Sequence, residues 1–109
     1  MGAPAVGDVV LIPFPYADFT RFKKRPALVV GKADFNNLIL CQITSKADTS
    51  KRAVSLHSVD FLKGTLRISS YIRFDKLFTV EPSIITATVG TIKANKSTLV
   101  RSRIRELFT

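Results

Sequence analysis

Cysteine occurs once in the 109 residues, as Cys41, so no disulfide framework can form within the chain. A lone thiol inside an apolar run reads as inert filling, and its setting is expected to be a reducing cytoplasm. Histidine also occurs once, at His57, and tryptophan is absent. No cluster of metal ligands, glycine-rich phosphate loop, nucleophile elbow or internal repeat is visible, which argues against metalloenzymes, nucleotide hydrolases and serine hydrolases. No apolar run approaches membrane-spanning length, and residues 1–6 lack both a signal peptide's charged and apolar regions and a myristoylation serine or threonine. A soluble, cytoplasmic protein is expected. Acidic residues are scarce: 8 Asp and Glu stand against 17 Lys and Arg, giving a net charge of +9. Such an excess implies an anionic partner, either nucleic acid or an acidic protein segment.

What is present fits one domain, residues 1–109, with residues 1–6 as a flexible extension rich in Ala, Gly and Pro. With 46% hydrophobic residues the chain can bury about two-thirds of its unfolded surface. The run Asp8-Val9-Val10-Leu11-Ile12-Pro13-Phe14 reads as a strand. A loop over 15–24 follows, carrying Tyr16, Phe19 and Phe22 among Arg21, Lys23 and Lys24. Such interleaving offers faces for bases and cations for phosphates; equally, the aromatics can seal one end of a barrel while the cations are solvated.

Two runs organise the rest: Lys23-Lys24-Arg25-Pro26-Ala27-Leu28-Val29-Val30 and Leu38-Ile39-Leu40-Cys41-Gln42-Ile43-Thr44-Ser45. Each has an apolar body of strand length with polar residues at one end. Proline lacks an N–H for a sheet ladder, so Pro26 is expected at the first position of its strand, with Lys23 to Arg25 ending the loop. Antiparallel pairing across a turn near 34–37 would make Arg25 and Thr44 neighbours. A polar loop over 46–52 leads to a strand over 53–57, where Ser55, His57 and Asp60 suit an exposed strand face and turn. Residues 61–64 are expected to form a turn. In the run over 65–80, Tyr71, Arg73 and Asp75 alternate with Ile72 and Phe74, as in a strand with one wet face. Glu81-Pro82 breaks it, and residues 84–92 read as the last strand.

From Asn95 onward the period changes. Val100, Ile104, Leu107 and Phe108 fall on one helical face, with Asn95 or Ser97 as candidate caps. Arg101 and Arg105 on the other face repel each other unless an anion or partner sits there. Five to seven short strands followed by one helix, without βαβ alternation, predict a mainly β chain forming a small antiparallel barrel.

Four pieces in this order and spacing resemble the MazF/PemK toxins of type II toxin–antitoxin systems: Gly7 to Pro15, Lys24 to Val30, Ile43-Thr44-Ser45 and Ser70 to Val80. The resemblance covers nearly the whole chain. It implies an SH3-like barrel of the MazF/CcdB type with a C-terminal helix, a symmetric homodimer, and cleavage of single-stranded RNA without metal or other cofactor. It further implies an antitoxin whose acidic tail lies over the RNA site. Carried over by position, the family's catalytic arginine falls on Arg25 and its catalytic threonine on Thr44, and Ser45 follows in the motif. Lys23, Lys24, Ser45, Phe19, Arg21 and Lys46 are then candidate RNA-binding residues. Many relatives have a longer first loop with Gly, Ser and Glu; here the loop has Asp18 as its only carboxylate, which places the chain nearer the PemK-like branch.

Side-chain chemistry fits that assignment. When a 2′-hydroxyl attacks phosphorus, charge grows on the non-bridging oxygens, and a fixed cation stabilises it. Arg25 offers a planar fork to two phosphate oxygens, and Thr44 offers one more donor. The base that takes the 2′ proton stays open among Arg25, Asp18 and water, since a guanidinium gives up a proton reluctantly. The rival from another class is a non-catalytic SH3-like binding module or a gyrase-directed toxin, because such barrels host many functions.

Overall fold

The computed structural model describes residues 3–15, 22–46 and 52–109. Its elements are β1 (Asp8–Pro15), β2 (Phe22–Lys32), β3 (Leu38–Thr44), β4 (Ala53–Leu56), β5 (Phe61–Gly64), β6 (Ser70–Val80), β7 (Ala87–Ile92) and α1 (Ala94–Glu106). The strands form one antiparallel sheet in the order β4-β6-β3-β2-β1-β7-β5, curled into a half-barrel. The mainly β fold expected from the sequence is present. Among the described residues no helix is long and apolar enough to cross a membrane.

The continuous apolar runs of β1, β2 and β3 follow from burial on both faces of the sheet. Val9, Leu28, Cys41 and Ile43 belong to one core cluster, together with Ile72, Phe74, Ile92 and Val100. Their strand neighbours Val10, Ala27, Val29 and Leu40 belong to a second cluster with Ile12 and Leu38. Successive side chains point to opposite faces, so a strand at the centre of the curl must be apolar at both parities. β6 has the wet face read from its alternation, with Ile72 and Phe74 buried and Tyr71, Arg73 and Asp75 half-buried. Burial pushes the Cys41 thiol up to about 12.

Pro26 departs from expectation. β2 begins at Phe22, so Lys23, Lys24 and Arg25 are strand residues opposite Phe14, Pro13 and Ile12 of β1, with Leu11 opposite Pro26. The sheet tolerates the proline for a geometric reason. Leu11 turns its carbonyl toward β7's side, where it accepts the Thr86 N–H at 2.9 Å. The Leu11–Pro26 pair is therefore not hydrogen-bonded, and the Pro26 nitrogen faces the opposite edge, where pairing with β3 begins only at Ala27.

Residues 61–64 are a strand and not a turn. β5 pairs with β7, and Gly64 lies opposite Gly90 at a φ of 66°. Four residues with Leu62 exposed carry too short an alternation to signal a strand. The last strand starts at Ala87, because Pro82–Ile84 form a 3-10 turn first. The helix is capped by extended Lys93 without a side-chain bond, and Asn95 and Ser97 lie inside it. Val100 is buried and Ile104 and Leu107 pack on the core, but Phe108 is 78% exposed, since α1 ends at Glu106 and the chain leaves the helical face.

Candidate functional site

The antiparallel register of β2 and β3 sets Ala27 opposite Gln42. Carried two residues further, the same register brings Arg25 beside Thr44. Both line a cavity of about 220 Å³ with Lys23, Lys24 and Ser45, so five of the residues singled out from the sequence come together. The far wall is Leu66, Arg67, Ile68 and Ser70, from the segment between β5 and β6 and the first residue of β6. Sequence reading missed this wall. Its side chains are brought to the site by the β4–β6 and β3–β6 pairings, which leave no local pattern in the chain.

The electrostatics of the cavity have one sign. Its described lining holds the cations Lys23, Lys24, Arg25 and Arg67, and no carboxylate, imidazole or thiol. Arg25 is half-buried whereas Lys23, Lys24 and Lys32 are exposed, so it is the most confined of the charged residues of β2. Thr44 Oγ1 accepts the Lys46 N–H at 3.2 Å. That bond uses an acceptor lone pair and leaves the hydroxyl hydrogen to serve as a donor. Lys46 itself is exposed and is not part of the lining. Asp18, Phe19 and Arg21 lie outside the described residues.

His57 has a structural setting. Its backbone N–H donates to Asp60 Oδ2 at 2.8 Å, and its Nδ1 lies 3.1 Å from Ser69 Oγ. Asp60 Oδ1 is 3.5 Å from Lys96 Nζ, which donates to the Ser55 carbonyl at 3.1 Å. These contacts tie the start of α1 to the end of β4. A second, largely apolar groove of about 290 Å³ lies between α1 and the sheet, lined by Val30, Gly31, Ile39, Leu77 and Ile104 with Arg101 and Arg105. Gly31 is six residues from Arg25 along β2, about 20 Å at strand rise, so this groove is separate from the cationic cavity.

Several solved structures share the fold. The crystal structure of MazE-MazF (Form-III) from Deinococcus radiodurans superposes with a TM-score of 0.77 at 22% identity, over 98% of this chain and 97% of that one. MazF (Form-I) from the same organism gives a TM-score of 0.70 at 23% identity, over 99% of this chain and 98% of that one. An endoribonuclease in complex with its cognate antitoxin from Mycobacterial species gives 0.74 at 15% identity, over 99% and 95%. No curated protein matches the chain in sequence. The family model of PemK-like, MazF-like toxins of type II toxin-antitoxin systems matches residues 5–108. With nearly its whole length accounted for, the chain belongs to this toxin family.

Proposed function

We propose that the chain is a single-domain endoribonuclease that cleaves single-stranded RNA without metal, acting in the cytoplasm as the toxin of a type II toxin–antitoxin pair. The observation that carries this reading is the confinement of Arg25 and Thr44 in one cavity whose described lining is cationic and free of carboxylates. The similarity to an endoribonuclease and to MazF structures supports it.

The 2′-oxygen attacks the adjacent phosphorus while the bond from phosphorus to the 5′-oxygen breaks. The 2′ proton passes to a base and the departing oxygen takes a proton, leaving a 2′,3′-cyclic phosphate and a 5′-hydroxyl. Arg25 offers two N–H donors to the non-bridging oxygens as charge grows there, and Thr44 donates a third hydrogen bond. Lys23, Lys24 and Ser45 hold the flanking backbone. Asp18, water or Arg25 serves as base, and Phe19, Arg21 and Lys46 are further candidate RNA contacts.

Incubating the protein with single-stranded RNA in EDTA tests the proposal. Cleavage should survive the chelator and leave cyclic phosphate ends, and Arg25→Ala should slow it at least about tenfold. Unchanged cleavage in Arg25→Ala removes the assignment. Growth arrest with intact RNA and broken DNA would instead favour a gyrase-directed toxin.

The exposed edges β4 and β5 and the charge of +9 bear on assembly. A two-fold homodimer covers sheet edges symmetrically, and an acidic antitoxin segment would compete with RNA for the Arg25 region. Light scattering at the mass of one 12.1 kDa chain would exclude the dimer. An antitoxin that bound Arg25→Ala as tightly as the wild type and left cleavage uninhibited would exclude the overlap.

A further inference from the structure

The cationic cavity is two-sided. The β2 and β3 side supplies Lys23, Lys24, Arg25, Thr44 and Ser45, which suit phosphate. The opposite wall supplies Leu66 and Ile68, with Arg67 between them. Ile68 is 64% exposed, so core packing does not account for it. A large apolar side chain held at the mouth of a phosphate-binding cavity meets the other half of a nucleotide, its base.

The segment that bears Ile68 is fastened at several points. Leu66 packs against the core cluster, and the Thr65 hydroxyl donates to the Leu66 carbonyl at 3.1 Å. The Ser70 hydroxyl donates to the Ile68 carbonyl at 2.8 Å, and Ser69 Oγ lies 3.1 Å from the His57 ring. At the start of the segment, Gly64 packs so closely on β7 that an added Cβ would come within 2.1 Å of the Val89 carbonyl oxygen. The wall is thus positioned before any ligand arrives, which lowers the ordering cost of binding.

We infer that Leu66 and Ile68 form a nucleobase subsite beside the scissile phosphate, and that Arg67 holds the RNA backbone on the far side of that base. The inference rests on the reading of the cavity as an RNA site. A cavity of about 220 Å³ lies below the roughly 300–1,000 Å³ of drug-sized ligand pockets, a size for one nucleotide unit. Sequence-selective RNA recognition works by lodging single unstacked bases against protein side chains, and the base held here sets the nucleotide preference at the cut.

The two roles separate experimentally, because an apolar contact selects among bases without regard to salt and a cation binds every backbone alike. The probe is a randomised, uncleavable 2′-O-methyl RNA octamer, with cleavage of the matching 2′-hydroxyl pool followed in parallel. Ile68→Ala should raise KM about tenfold and flatten the preference at one position adjoining the cut, while the salt dependence of binding stays the same. Ile68→Val should restore the preference. Arg67→Gln should keep the preference and lower the slope of log affinity against log salt by about 0.7, the release expected for one phosphate contact on a single strand. Leu62→Ala, which removes a side chain that is 66% exposed and outside the cavity lining, serves as the control and should change neither.

A wild-type protein that cuts RNA while Ile68→Ala keeps its KM and its preference overturns the subsite alone. Binding and selection without cutting would refute the endoribonuclease reading and leave the subsite supported. Absence of RNA binding by the wild type overturns both. A uniform loss in Ile68→Ala that Ile68→Val does not repair, with a lowered melting temperature, would make Ile68 a structural residue and overturn the subsite.

Discussion

Gly64→Ala should destabilise the protein severely, because two penalties coincide at this position. Gly64 has a φ of 66°, where a side chain costs about 1–2 kcal/mol. The new Cβ would also lie 2.1 Å from the Val89 carbonyl oxygen and 2.8 Å from the Gly90 Cα. Both are backbone atoms of the paired strand, so relief requires β5 and β7 to separate. Overpacking of this kind costs about 1–3 kcal/mol, so the total is about 2–5 kcal/mol. Unfolding entropy near 2.1 cal/mol/K per residue over 109 residues converts this to a fall of about 10–20 °C in Tm. Circular dichroism melts at one fixed protein concentration measure it, since self-association would shift Tm by mass action. Gly31→Ala is the internal control. There the added Cβ would meet Ile39 at 3.6 Å, an ordinary contact, and no left-handed φ is involved. That variant should match the wild type or gain up to about 1 kcal/mol from a stiffer unfolded chain. A drop below about 3 °C in Gly64→Ala, or an equal drop in both variants, would refute the reasoning.

Arg25→Lys should lose at least about tenfold in cleavage rate in single-turnover assays despite keeping its charge, because an ammonium lacks the planar fork; a rate within twofold of wild type would show that charge alone suffices. Asp75 accepts two hydrogen bonds from Arg73, Nε to Oδ1 and the terminal nitrogen to Oδ2, each 2.9 Å. Chiefly through these bonds, and against partial burial, its carboxyl is held below the usual value. A depressed carboxyl stabilises the fold above its unfolded value, near 3.9, and that contribution disappears as pH falls through the folded value. Asp75→Asn should therefore cost up to about 1 kcal/mol in urea denaturation at pH 7 and show a shrinking gap to wild type at acid pH, whereas a gap independent of pH would contradict the ion pair. Cys41, fully buried with its thiol pushed up to about 12, should react with a disulfide reagent at pH 8 only as fast as the fold opens, and fast labelling of the native protein would place it outside the core.

That Arg25 and Thr44 would meet in one cavity was legible because antiparallel strands joined by a short turn must bring the start of one beside the end of the other. The apolar runs of β2 and β3 were legible for a related reason: strands buried on both faces carry no polar parity to blur them. Pro26 misled because its missing N–H was assigned to a strand start, while the ladder instead offered a position inside β2 where that nitrogen faces away from β1, before the pairing with β3 begins at Ala27. β5 misled because four residues are too few for a period to emerge, and its pairing with β7 joins Gly64 to Gly90, far apart in the chain. Composition and periodicity by themselves determined the β class, the closing helix and the basic surface, and the family resemblance singled out Arg25 and Thr44 for the site. Only the tertiary structure decided that Leu66, Arg67 and Ile68 face them, because non-local pairings between strands, and not any local pattern, bring that wall to the cavity.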